Sequence, residues 1–71
     1  MKYMVVLEHG PSSIGAYVPD LPGCVAAGES EDEALSLIRE AIELHLEALH
    51  EQGQKTPEPS SSSAFIEVAA A

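Results

Sequence analysis

The chain has 71 residues, with 12 acidic side chains against 3 basic ones and a formal charge of −9. A domain of this size buries only about 60% of the surface its unfolded chain exposes, so it is marginal alone, and the single cysteine excludes an internal disulfide as a staple. The charge opposes binding to nucleic acid, which needs clustered Lys and Arg, and opposes attraction to anionic membranes, while favouring a basic partner; solubility alone is the other reading of the same excess.

Residues 2–8 (KYMVVLE) read as a strand bounded by Gly10 and Pro11. Tyr3, Val5 and Leu7 share one face and Met4 and Val6 the other. Apolar residues on both faces suggest a central strand. Turn chemistry at 9–12 leads into a second strand over 13–19, where Ile14, Ala16 and Val18 face one way and Pro19 ends the ladder. The two runs predict a β-hairpin. Pro22-Gly23 fits the centre of a type II turn, and 24–27 (CVAA) reads as a short third strand closed by Gly28.

A helix is predicted over 31–51. Ser30 is its N-cap candidate, and Glu33 three residues on completes a capping-box pattern. Glu31, Asp32 and Glu33 put negative charge where the helix dipole favours it, and Gly53 is the stop signal. The apolar arc spans roughly 200°, wider than one packing surface requires. The excess, with Leu37, Leu44 and Ala48 on it, is expected to meet a second subunit. Residues 54–63 (QKTPEPSSSS) read as a linker held extended by Pro57 and Pro59. Residues 64–69 (AFIEVA) then read as a closing strand, with Ile66 and Val68 on one face and Phe65 and Glu67 on the other. The order β-β-β-α-β predicts an α+β fold, an antiparallel sheet with one helix packed on it, as one domain over 1–71.

The chemistry-bearing residues point away from catalysis. His45 sits on the apolar arc with no Asp, Glu or Cys spaced to orient it, and reads as a core or interface histidine. His9 and His50 lack a partner that spacing identifies. Cys24 has only Lys2, Arg39 and Lys55 as sources of fixed positive charge, so it reads as a small buried apolar residue rather than a nucleophile. Asp20 reads as a cap on the backbone of its own turn; a Mg²⁺-dependent nuclease built on Asp20 and Glu8 is the weaker alternative. No cofactor or metal site is expected. The absence of a leader or of an apolar run near the roughly 20 residues that span a bilayer, with a lone thiol, reads as cytoplasmic.

Tyr17-Val18-Pro19-Asp20-Leu21-Pro22-Gly23-Cys24, then Gly28-Glu29-Ser30 and Glu33-Ala34, resembles the signature of HicB-like antitoxins. The likeness continues through Ala41, Leu46 and Leu49 to Pro57-Glu58-Pro59, and so covers nearly the whole chain. It implies a partial RNase H-like fold without nuclease activity, which binds and neutralises a small basic HicA-type toxin that cleaves mRNA. The family motif Tyr17, Pro19, Asp20, Leu21, Pro22, Gly23, Cys24 and Gly28 is then a candidate partner surface. The resemblance also implies a homo-oligomer, a dimer or larger. Many members add a C-terminal DNA-binding domain. This chain reads as a short member without one, so no direct nucleic-acid binding is expected. An orphan homo-oligomeric regulator or scaffold of the same fold is the alternative function.

Overall fold

The computed structural model describes residues 1–70 and has three strands followed by one helix: β1 (Val6–His9), β2 (Ile14–Tyr17), β3 (Val25–Gly28) and α1 (Glu31–Glu51). The strands form an antiparallel sheet in the order β1-β2-β3. The fold is α+β, as the alternating runs and the capped helix predict.

Register follows from the alternation. Leu7, Ala16 and Ala26 lie opposite one another across the three strands, and all three pack in or against the core. Val6, Tyr17 and Val25 form the neighbouring row and face away from the helix, since successive strand side chains point to opposite faces. The core consists of Ala16, Val18, Leu21, Cys24, Ala34 and Ile38, with Tyr3, Val5, Leu7, Ile14, Ala26, Ala41, Ile42 and Leu46 packed around it. Thus α1 presents a stripe at the i, i+4, i+8 spacing to one side of the sheet.

Local chemistry sets both ends of α1. The Ser30 hydroxyl accepts from the Glu33 amide at 3.1 Å, and the Glu33 carboxylate accepts from the Glu29 amide at 3.0 Å, one residue earlier than in the standard capping box. At the other end Gly53 adopts φ 74°. Its amide donates to the His50 carbonyl at 3.0 Å, and the Gln54 amide donates to the Leu49 carbonyl at 2.9 Å. This bond pair is a Schellman motif. Gly28 brings β3 against the first helical turn: a Cβ there would lie 2.7 Å from the Ala34 amide nitrogen.

Two sequence expectations change. β1, read as central because both its faces are apolar, is an edge strand with β2 alone beside it. Residues 64–69, read as a closing strand, form none, and Phe65, Ile66 and Val68 are all exposed. The physical reason is shared. Side-chain alternation reports a preference for being covered on a sheet; a strand also needs a neighbour to pair its backbone. Here the chain does not bring its tail alongside β1.

Candidate protein-contact surface

Residues 19–24 carry the most specific motif in the chain, and their backbone closes on itself. The Leu21 amide donates to the Val18 carbonyl at 3.1 Å, the Cys24 amide to the Leu21 carbonyl at 3.0 Å, and the Val18 amide to the Cys24 carbonyl at 3.2 Å. Gly23 takes φ 84°, the value a type II turn requires after Pro22. This loop drives Leu21 and Cys24 into the core, where both are buried. Burial raises the Cys24 thiol pKa, which disfavours the thiolate a nucleophile needs. Tyr17, Pro19, Pro22 and Gly23 remain exposed, while Gly28 is buried under the helix start. The motif therefore divides into residues that shape the fold and residues that face solvent.

Asp20 does neither of the things its position in a turn suggests. Its carboxylate accepts four hydrogen bonds from the linker, 40 and 41 residues away. The Ser60 and Ser61 amides donate to Oδ2 at 2.9 and 3.0 Å, and their hydroxyls donate to Oδ1 at 3.1 and 2.6 Å. These donors favour the charged form and lower the Asp20 pKa to about 2, led by the Ser61 hydroxyl. Nearby, the Tyr3 hydroxyl donates to the Pro57 carbonyl. Desolvation, then the charges of Glu58 and Asp20, raise the Tyr3 pKa. Tyr3 and Asp20 thus strap the linker across the end of the sheet. Asp20 is a latch for its own chain, and Glu8, which pairs with Gly15 further along β1, does not join it. Among the described residues no group of three or more His, Cys, Asp and Glu could hold a metal ion.

The helix carries the remaining open surface. Leu37, Leu44 and Ala48 are exposed, Leu44 at 66%. Their spacings of seven and four residues align them in one row along α1. Ala34, Ile38, Ile42 and Leu46 occupy the core side. Glu33, Glu40, Glu47 and Glu51 run beside the exposed row on the side away from the core. A recess of about 310 Å³ opens there between Glu40, Glu43 and Leu44. His45 is half-buried at the core side. His9 gains a partner that spacing did not reveal, with Nε2 3.2 Å from the Glu31 carboxylate.

The chain matches the profile of the HicB-like antitoxins of bacterial toxin-antitoxin systems over residues 3–69. It belongs to the HicB-like antitoxin family. Similar proteins include "Antitoxin HicB 2" of Photorhabdus laumondii, 31% identical over 71 residues, covering 99% of this chain and 51% of that protein. An uncharacterized 14.9 kDa protein of Haemophilus phage HP1 is 32% identical over 66 residues, covering 93% of this chain and 50% of that protein. A UPF0150 protein of Thermoplasma acidophilum is 40% identical over 60 residues, covering 80% and 84% of the two chains. The chain therefore spans about half the length of the first two relatives. Among the described residues, no helix is long and apolar enough to cross a membrane.

Proposed function

We propose that this HicB-like protein is a non-catalytic antitoxin in the cytoplasm, which neutralises a small basic HicA-type toxin by covering it. The observation that carries the reading is the row Leu37, Leu44 and Ala48, exposed on α1 and bordered by carboxylates. The chain as a whole carries a formal charge of −9. An apolar strip with an acidic rim suits a basic protein, because opposite fields speed encounter while the strip supplies buried area. Self-contact through the same row would set Glu33, Glu40, Glu47 and Glu51 of two copies against each other. That repulsion favours the basic toxin as the occupant. Self-association belongs to this reading too, since a domain this small gains from an added interface, and it uses a different surface.

The motif around Asp20 supports the surface indirectly. Its buried members fix the loop and its carboxylate fixes the linker, leaving Tyr17, Pro19, Pro22 and Gly23 as a secondary contact edge.

The test is the association rate with a purified HicA-type toxin. Wild-type association should slow steeply as salt rises. The double variant Glu40→Lys/Glu47→Lys should associate about tenfold slower or worse at low salt. An unchanged rate would remove the helix from the interface, and absence of binding by the wild type would overturn the antitoxin reading.

A further inference from the structure

We infer that residues 64–69 are a donated strand, which completes the open β1 edge of a second copy of this chain, with the two copies exchanging tails reciprocally. Three observations lead there. The first is the tail itself. Ala-Phe-Ile-Glu-Val-Ala alternates as a sheet strand does, yet Ile66 is 82% exposed and Phe65 fully so. Three large apolar side chains in six residues are costly to leave in water and hazardous to leave unpaired.

The second observation is the edge. Residues 2–8 are apolar on both faces, a pattern of strands with neighbours on either side, yet among the described residues β2 is the only neighbour of β1. Among the described residues, no backbone hydrogen bond reaches Met1–His9 from outside the β1–β2 ladder. Residues 2–5 lead into this edge outside the paired stretch, with Tyr3 and Val5 packed on the core. The β3 edge is blocked at one end, because Gly28 runs straight into the helix start.

The third observation is the route of the linker. It meets Tyr3 at Pro57, on the β1 side, and then reaches Asp20 at Ser60 and Ser61. Asp20 lies in the connection between β2 and β3. The chain has therefore passed the β1 edge before the tail begins, and the four bonds to Asp20 hold it there. From that anchor the tail leaves without lying along its own β1. It can reach the same edge of another copy.

Added there, Ile66 and Val68 lie on the helix side of the partner sheet, beside the row that contains Val5 and Leu7. Phe65 then joins Met4, Val6, Tyr17 and Val25 on the outer face. Reciprocal exchange gives a closed two-fold dimer, so the exposed edges and tails are consumed in pairs. The contact needs no charge complementarity, which matters for two copies that each carry −9; Lys2 lies on the edge and Glu67 on the tail.

The experiment is sedimentation equilibrium of the full chain over a hundredfold concentration range, with the variant Ile66→Pro. Proline removes a ladder donor from the tail and touches nothing in the core, so the helical circular dichroism signal serves as the folding control. The wild type should sediment at twice the chain mass of 7.5 kDa. Ile66→Pro should sediment at the single-chain mass with the same dichroism. This inference supplies a surface for the self-association proposed above and is independent of the toxin. A monomeric wild type overturns both the exchange and the self-association. A variant that stays dimeric overturns the exchange alone, leaving self-association to another surface.

Discussion

Two regions of this chain carry alternating apolar runs and meet opposite fates. Residues 3–51 fold their apolar side chains between a sheet and a helix, leaving Leu21 and Ile38 at 0% and 1% exposure. Residues 52–70 run over the end of that unit, held by Tyr3 and Asp20, and leave Phe65, Ile66 and Val68 in solvent. The difference teaches that an apolar pattern records what must be covered, and says nothing of whether the cover is in the same molecule. In the first region the covering elements follow one another along the chain, joined by short connections. In the second, strand pairing would need the tail to reverse past an anchor point.

The comparison breaks most readily at Ile38. Ile38→Ala empties the centre of the packed region and should cost about 2–5 kcal/mol in urea unfolding, a large share of the stability of a domain this small. A loss under about 1 kcal/mol would show the helix to be loosely docked. Smaller is the effect at the helix start. Ser30→Ala removes the hydroxyl that accepts from the Glu33 amide and should cost about 1 kcal/mol by the same measurement.

The smallest effect falls on the strap. The Asp20 pKa is lowered from 3.8 to about 2, so the latch is fully present above about 3.8 and is lost as pH falls through about 2. It stays closed at neutral pH. The amide shifts of Ser60 and Ser61 should titrate together with a midpoint near 2, and lose that titration in Asp20→Asn. A midpoint at the ordinary carboxylate value would show that the serines do not hold this group.

The legible parts of the molecule are those whose causes are close in sequence. Ser30 and Glu33 mark the start of α1 because capping acts over three residues. Pro22-Gly23 marks its turn because the φ values are intrinsic to those residue types. Ile14, Ala16 and Val18 reveal the core face of β2 by period alone. What escaped depends on partners far along the chain. Asp20 was read as bonding its own turn, and its serines lie 40 and 41 residues away. The apolar faces of β1 suggested a central strand, and pairing order is not written in one strand. The excess width of the apolar arc on α1 is legible; the line of carboxylates beside Leu37, Leu44 and Ala48 emerges once the core side of the helix is known.

Proteins of this family are antitoxins by kinship, and the central claim for this member is that it acts by contact. The most direct measurement is a titration of a HicA-type toxin with the full chain, following cleavage of an RNA substrate. Cleavage should fall linearly to zero at a fixed molar ratio, with the chain itself leaving the RNA intact. Undiminished cleavage at a large molar excess, or RNA cut by the chain alone, would contradict the account.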